Sequence, residues 1–239
     1  MIPRFNLSQC LLLLSAALLW AAPLWAQQQH ERALADFDQI EFTGRGDLFL
    51  YQGDAPSVRI EVSNEADLDR IRTRVQGSTL EIEYRHDDDD WLDLAPKMQV
   101  YVTYPALRSL EVTGLADVES PDLIQADRFN LEVEGMGRID LRLKVASLRV
   151  ESAGTANIEL SGEADEVRIL NDGTGTIDAF ELTSKEADVE VNGTGLIRIN
   201  STERLQAEAN GFGAKVKYRG DPKKTYFDTS GFASIKSEY

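Results

Sequence analysis

Short alternations of apolar and polar residues recur along the chain, separated by pairs of small residues. Typical segments are LEVTGLADVES from Leu110, LEVEGMGRIDL from Leu131 and VEVNGTGLIRI from Val189. A period of two is typical of strands with one buried face, and the small-x-small element is typical of a tight corner. The first small residue of each predicted corner is a glycine: Gly44, Gly114, Gly135, Gly154, Gly173, Gly193, Gly211 and Gly231.

These corner glycines are evenly spaced. From Gly114 onward the steps are 21, 19, 19, 20, 18 and 20 residues, a regularity that indicates a solenoid or another repeat array. The residue four before each glycine is apolar, and so is the residue four after it, except Lys215. Coils stacked at the usual strand spacing of about 4.8 Å would join these residues into two aliphatic ladders.

The pattern predicts an all-β fold, a right-handed parallel β-solenoid with coils of about 20 residues. An antiparallel β-sandwich with a strand every ten residues or so is the alternative. Residues 57–107 lie outside the period and form a predicted strand-helix-strand insert that covers the N-terminal end of the stack. Asn64 caps its short helix, to which Leu68, Ile71 and Val75 give one apolar face.

The N-terminal residues predict export. Residues 1–26 have a basic start, the apolar run Leu11–Trp20 and a small-residue end at Ala26, as in a cleaved signal peptide. An uncleaved anchor is the alternative, although the run is shorter than a membrane span of about 20 residues. We expect a flexible leader over 27–35, a single domain over 36–239, no membrane span in the mature chain, and a periplasmic, surface or extracellular location.

The net charge of −16 argues against nucleic acid and anionic lipid partners, because their phosphates need Lys and Arg. It is compatible with cations and with basic or neutral partners.

Several longer segments resemble one known family. They are FDQIEFTGRGDLFLYQGDAPSVRIEV, ADLDRIRTRVQGSTLEIEY, MQVYVTYPALRSLEVTGLADV and the G-x-G coils that follow. In this order they resemble the bacterial head GIN domain family, described as autotransporter adhesin heads, over about residues 36 to 239. The resemblance implies a β-helical fold, an exported location and no established biochemical activity.

An acidic column is the first candidate binding site. Three residues before the corner glycines from Gly114 onward, six of seven positions are acidic. They are Glu111, Glu132, Glu151, Glu190, Glu208 and Asp228, and we call them the acidic ladder. The functional hypothesis is a stripe that binds Ca²⁺ or a basic partner, and the alternative is a solvated face that keeps the sheet from pairing. No other cofactor is expected.

Four further features have ordinary explanations beside functional ones. Asp87–Asp90 before Trp91 can bind calcium loosely but is more typical of a solvated loop. Arg45, Gly46 and Asp47 spell the RGD tripeptide at corner positions, where chance explains it. A basic cluster of residues can meet an acidic surface of a partner or of this chain, or can be ordinary surface side chains; it is formed by Lys215, Lys217, Arg219, Lys223 and Lys224. Phe212 and Phe232 follow corner glycines one coil apart; they can form an apolar or sugar-binding patch or pack under a terminal loop.

The sequence predicts no enzyme. Its two histidines, His30 and His86, form no convincing nucleophile dyad, and phosphate-loop and zinc-protease motifs are absent. A polysaccharide-active β-helix enzyme with paired carboxylates is the alternative. We therefore expect an exported binding module, adhesin-like or associated with the periplasmic envelope, with an unidentified protein or glycan partner.

Overall fold

The computed structural model describes residues 30–85 and 97–238, and this part of the chain is almost entirely β-structure. The predicted signal peptide, the Asp87–Asp90 run and His86 lie outside the described residues. A 3-10 helix spans Glu65–Arg70. The strands are β1 His30–Ala33, β2 Gln39–Gln52, β3 Ser57–Val62, β4 Ile71–Gln76, β5 Thr79–Tyr84, β6 Met98–Tyr104, β7 Ser109–Asn171, β8 Thr176–Asn192, β9 Leu196–Arg219 and β10 Lys224–Ser237.

The repeats pair in parallel, each with the repeat before it. Gly44 of β2 lies beside Gly114 of β7, and Gly211 of β9 lies beside Gly231 of β10. Strands β7 and β8, and β8 and β9, are also parallel neighbours. The long strands run on through the corners because the backbone keeps pairing there. The result is one mixed sheet in the order β1-β3-β6-β2-β7-β8-β9-β10, which confirms the all-β prediction.

Both predicted aliphatic ladders form the core. Through β9, Ile40, Leu110, Ile169 and their equivalents before the corners are almost fully buried, as are Leu48 and its apolar equivalents after them. Along each strand, exposed or half-buried residues alternate with buried ones, so the alternation read from the sequence matches the two faces of the strands. Phe227, in the last repeat, departs from this pattern and is 44% exposed.

Lys215, the exception in the ladder, reflects a change of register. Phe232 of β10 pairs with Phe212, but Ser234 pairs with Lys215, so β9 holds one extra residue in this corner. A bulge of this kind reverses which side chains face inward. Val216 consequently takes the core position and is 1% exposed, while Lys215 points to solvent.

The insert covers the N-terminal end of the stack. Strands β5 and β6 lie parallel to the two halves of β2, in the places that a further repeat would occupy. Strand β4 then pairs antiparallel with β5, β3 with β6, and β1 with β3. The change to antiparallel pairing lets short strands close this end of the sheet, which would otherwise present unpaired backbone groups.

One detail differs from the prediction. The helix capped by Asn64 ends at Arg70, and Ile71 to Val75 form strand β4 instead of its second turn. The segment IRTRVQ alternates as TLEIEY does, and Arg72 and Arg74 lie opposite Glu83 and Glu81, so cross-strand pairing outweighs the helical spacing.

Within the predicted leader, His30–Ala33 forms strand β1, which pairs antiparallel with β3.

Candidate functional site

The corner glycines stack backbone on backbone. A Cβ atom on Gly114 would overlap the carbonyl oxygen of Gly44, and one on Gly135 would overlap that of Gly114. The same holds for Gly154 and Gly173 further along the stack. A side chain at any of these four corners would therefore push neighbouring repeats apart, so we assign the column a structural role.

Acidic ladder residues of neighbouring strands lie side by side in two parts of the sheet. Glu41 of β2 lies beside Glu111, and Glu190, Glu208 and Asp228 are register neighbours in β8, β9 and β10. Glu41 therefore extends the ladder by one repeat that the sequence reading did not include. Leu170, beside Glu190, interrupts it.

Three carboxylates of the acidic ladder have partners within the same chain. Glu151 forms an ion pair with Arg149 two residues earlier. Glu190 accepts a 2.9 Å hydrogen bond from the amide of Asn192, and Glu208 accepts one of 3.4 Å from Gln206. Within residues 30–85 and 97–238, no group of three or more His, Cys, Asp or Glu side chains is arranged to hold a metal ion.

The carboxyl group of Glu111, a ladder residue, has a pKa above its ordinary value. Burial, then repulsion from Glu41, Glu132 and Glu134, raises the pKa of its carboxyl group. A raised carboxyl pKa means that the folded state holds the proton more tightly than the unfolded state. The resulting stabilisation is present at low pH and is lost as the pH rises through the pKa of the folded protein.

We expect Glu111→Gln to stabilise the protein at neutral pH. Removing one repelled carboxylate should raise the free energy of unfolding by about 0.5 kcal/mol, since repulsion between partly exposed groups is screened. The gain should shrink below about pH 4, where Glu111 is protonated in both states. Urea unfolding at pH 7 and pH 3.5 measures both values. Glu119→Gln removes an equal charge from outside the ladder, and a gain of the same size there would contradict a local cause.

The RGD tripeptide lies within the sheet and not in a loop. Strand β2 is paired on both sides at this point, with Gly46 beside Met98 and Asp47 beside Asp117. The Asp47 carboxylate is 3.0 Å from the Lys97 ammonium group. A carboxylate that is already paired on a flat strand is poorly placed to bind a receptor.

Two members of the basic cluster form ion pairs within this chain. Lys217 contacts Glu238 at 3.1 Å, and Arg219 contacts Glu181 at 2.9 Å.

Phe212 and Phe232 do not pack under a terminal loop. Their rings meet edge to face, with centroids 5.2 Å apart, and each is about three-quarters exposed. The pair forms an apolar patch on the outside of the last two corners.

A groove crosses five successive repeats on another part of the surface. The volume of this open groove is about 850 Å³. The groove follows a second set of corners, which lie roughly midway between the glycine corners along the chain. Small or short side chains form its floor, and charged side chains form its rim. The floor residues are Ala126, Val145, Ala146, Ala164 and Ser184, and the rim residues are Asp127, Lys144, Glu163, Asp165 and Lys185.

Side-chain bonds to the backbone hold the groove floor in place. The Ser184 hydroxyl donates to the carbonyl of Asn200 at 2.7 Å, and the Thr202 hydroxyl donates to that of Ser184 at 3.0 Å. Ser201 is fully buried and donates to the carbonyl of Lys185. A floor fixed in this way needs little reordering when a ligand binds.

The rim carries charges of both signs, including two ion pairs. Lys144 lies 3.5 Å from Glu163, and Lys185 lies 2.6 Å from Asp165. A hydrogen bond with Asp165 and the attraction of its charge raise the pKa of Lys185. Each of these two pairs offers a donor beside an acceptor, a combination that suits polar, uncharged or mixed-charge groups.

The sequence reading did not find this groove. Its floor residues lie at uneven distances from the corner glycines, because the second corners differ in length from repeat to repeat. Val145 and Ala164 follow their glycines by ten residues, while Ser184 follows Gly173 by eleven. Only the register, which places Ala164 beside Ser184 and Ser184 beside Ser201, brings these positions together.

A smaller hollow holds the carboxylates that a glycosidase would need. Asp178 and Glu181 line it, and they are paired with Arg198 at 2.6 Å and Arg219 at 2.9 Å. Both arginines also lie over the ring of Phe180. Arginines of the same chain therefore already engage both carboxylates.

Over the two described stretches of the chain, no helix has the length and apolar character needed to cross a membrane. Solved structures share this fold. One is described as a putative adhesin from Bacteroides fragilis, with a TM-score of 0.80 and 24% identity over 88% of this chain and 96% of that one. A putative adhesin from Parabacteroides distasonis has a TM-score of 0.71 and 20% identity over 88% and 96%.

A further relative has a different description. It is a putative lipid binding protein from Parabacteroides distasonis, with a TM-score of 0.68 and 22% identity over 89% and 96% of the two chains. The comparison with curated proteins finds no match. The family profile described as "putative auto-transporter adhesin, head GIN domain" matches residues 36–222. The chain therefore belongs to the head GIN domain family.

Proposed function

We propose that this protein is an exported, non-enzymatic binding module, and that the groove across the repeats holds an extended partner. The observation that carries the proposal is the groove itself, which has a fixed floor of small residues and a rim of paired charges. Solved structures with this fold are described as adhesins and, in one instance, as a lipid binding protein. These descriptions are compatible with binding rather than catalysis.

The shape of the groove favours a linear polymer. It runs from repeat to repeat, and the ion pairs Lys144–Glu163 and Lys185–Asp165 place donors beside acceptors along it. A chain of sugars presents hydroxyl groups repeatedly along its length and can meet both pairs at once. An aliphatic lipid would need an enclosed apolar cavity, whereas this groove is open and its rim is charged. We therefore favour a glycan over a lipid or a single small ligand.

Ala146→Trp should block this site. Ala146 is exposed in the groove, so a large ring there fills the space without entering the core. We expect the affinity for a bound polysaccharide to fall by about tenfold or more, since the ring displaces the ligand. Binding to dextran, alginate and solubilised peptidoglycan strands is the measurement. Ala153→Trp, at an exposed position beside a glycine corner, is the control, and equal loss in both variants would contradict the groove.

The compartment belongs to the same proposal. We propose export, to the cell surface or to the periplasm, based on the family and on the signal-like residues 1–26. Treating intact cells with protease separates the two: degradation indicates the surface, and protection until the outer membrane is opened indicates the periplasm. Retention in the cytoplasm would contradict export in either form.

We also infer that the repeats form a right-handed parallel β-solenoid. The parallel registers of β2 with β7 and of β7 through β10 support this arrangement. Parallel strands joined by crossovers are right-handed in nearly all known cases, because of the twist of the strands. The antiparallel sandwich would not place residues 19 or 20 apart side by side. A crystal structure would report the hand directly.

A designed disulfide tests the parallel stacking. The hydroxyl oxygens of Thr155 and Thr174 are 3.0 Å apart on adjacent corners. Thr155→Cys with Thr174→Cys should oxidise readily to a disulfide. The disulfide should stabilise the protein by about 3 kcal/mol, because it closes a loop of about 20 residues in the unfolded chain. Thr155→Cys with Thr176→Cys is offset along the strand and should not cross-link. Equal cross-linking of both pairs would contradict the register.

The acidic ladder is a secondary proposal, a face for cations or for a basic partner. The run of Glu41, Glu111 and Glu132 supports it, since burial and then repulsion from the neighbouring carboxylates raise the pKa of Glu111. If calcium binds there, millimolar Ca²⁺ should raise the melting temperature of the wild type and have less effect on Glu111→Gln. An unchanged melting temperature would leave the ladder as a solvated face.

A further inference from the structure

The two ends of the sheet differ in how they are closed. At the N-terminal end, strands β1, β3 and β4 cover the first repeat. At the other end, β10 pairs with β9 on one side, and within the described residues no strand pairs with its far side. A long unpaired edge of this kind readily adds another strand.

The last repeat also leaves core positions uncovered. Phe227 takes the place held by Ala207 one repeat earlier, yet it is 44% exposed whereas Ala207 is fully buried. Ile235 lies beside Val216 and is only partly buried. With the exposed pair Phe212 and Phe232, these side chains make the end of the stack an apolar surface. Such a surface on an open sheet edge usually marks an interaction site.

From these features we propose that β10 pairs with β10 of a second copy of this chain, antiparallel and about a twofold axis that passes through the corner at Gly231. Seven residues precede Gly231 in this strand and seven follow it as far as Glu238. A twofold axis through the corner therefore places each arm of one copy on the opposite arm of the other, and the two bends coincide. An axis placed elsewhere would leave the corners out of step.

This register matches side chains of compatible chemistry. Because Gly231 lies on the axis and faces its own copy, a residue of one chain lies opposite a residue of the other when their numbers add up to twice 231, which is 462. Phe227 then faces Ile235 of the second copy, so the uncovered core positions cover each other. Thr229 faces Ala233. Lys224 faces Glu238, an opposite-charge pair in which the carboxylate also contacts Lys217 of its own chain. Shifting the register by two residues separates both the apolar and the charged pair.

The free backbone groups suit the same pairing. The amide of Glu238 donates to the carbonyl of Tyr218 at 2.8 Å, so it points back into the stack. Because these groups alternate along a strand, those of Ser237 and Ile235 point to the open edge.

The pairing would make the protein bivalent. The groove ends at Thr202, before β10, and therefore stays open in a dimer joined at this end. Two grooves on one particle bind a repetitive polymer more tightly than one does, through their effective concentration. The dimer does not depend on what the groove binds, so either proposal can fail alone.

The first test is the mass of the protein purified from bacterial cells that express the full chain. Light scattering coupled to size exclusion should give twice the mass of the monomer at about 50 µM, with dissociation on dilution. Thr229→Lys puts a charge on the edge opposite Ala233 of the second copy and should yield a folded monomer with an unchanged far-ultraviolet circular dichroism spectrum. Ala153→Lys, on a distant exposed corner, should remain a dimer. A wild-type monomer at about 50 µM, or a dimer insensitive to Thr229→Lys, would overturn the proposal.

Cross-linking tests the register independently of affinity. Asp228→Cys with Ser234→Cys places cysteines opposite each other across the axis, and oxidation should give a covalent dimer on a non-reducing gel. Asp228→Cys with Lys236→Cys reports the pairing shifted by two residues and should cross-link poorly. More dimer from the second pair, or none from the first, would overturn the twofold arrangement at Gly231.

Discussion

Gly135→Ala is expected to destabilise the protein by roughly 3 kcal/mol or more, although it adds only one methyl group. The backbone at Gly135 has φ of +147°, where an L side chain costs about 1–2 kcal/mol. The new Cβ would also overlap the carbonyl oxygen of Gly114, which belongs to the sheet and cannot move alone. Overpacking of this kind adds about 1–3 kcal/mol.

The matched control for that substitution is Gly77→Ala. Gly77 has φ of +64° and open space where the Cβ would lie, so it carries the conformational cost without the overlap. We expect a loss of about 1 kcal/mol there. Urea unfolding monitored by circular dichroism measures both variants. Equal losses would mean that close stacking of the corners contributes nothing to the effect of Gly135→Ala.

Val216→Asp is expected to cost about 4 kcal/mol or more, while Lys215→Asp one residue earlier is tolerated within about 0.5 kcal/mol. Val216 is 1% exposed in the core ladder, and a carboxylate there has no charged partner. Lys215 faces solvent because of the bulge in β9. Both variants introduce the same side chain, so the difference between them reports only which residue faces inward.

The measurement is unfolding by urea together with limited proteolysis of the C-terminal repeats. Lowering the pH should partly restore Val216→Asp, since protonation removes the buried charge. If instead Lys215→Asp proves the more damaging variant, the regular spacing of the sequence would hold through this corner and the bulge would be absent.

The groove explains how a fold without enzyme motifs can still have a specific surface. Its rim residues are ordinary charged side chains, and none is unusual in its own repeat. In the proposed function, specificity would come from the register of Ala164, Ser184 and Ser201 and from the two ion pairs beside them. Parallel stacking places these groups along one surface, where an extended ligand can contact more than one of them.

The sequence by itself determined the all-β class, the repeat and the buried ladders. Alternation around Leu110 or Ile169 reports the local side-chain period of a strand, and the glycine spacing reports the length of a repeat. Both are properties of neighbouring residues, so no knowledge of distant contacts was needed. The head GIN resemblance followed from the order of these segments.

Only the tertiary structure decided the features that depend on pairing between distant residues. It placed Ile71 in a strand opposite Tyr84 and Val216 in the core, where a bulge in β9 turns it inward. It also showed that Asp47 forms an ion pair with Lys97. It also assembled the groove from second corners of unequal length and, among the strands that the structure describes, left the far side of β10 unpaired. Register is set by the sum of many long-range contacts, and a shift of one residue reverses every side chain, so these outcomes cannot be read from the local pattern.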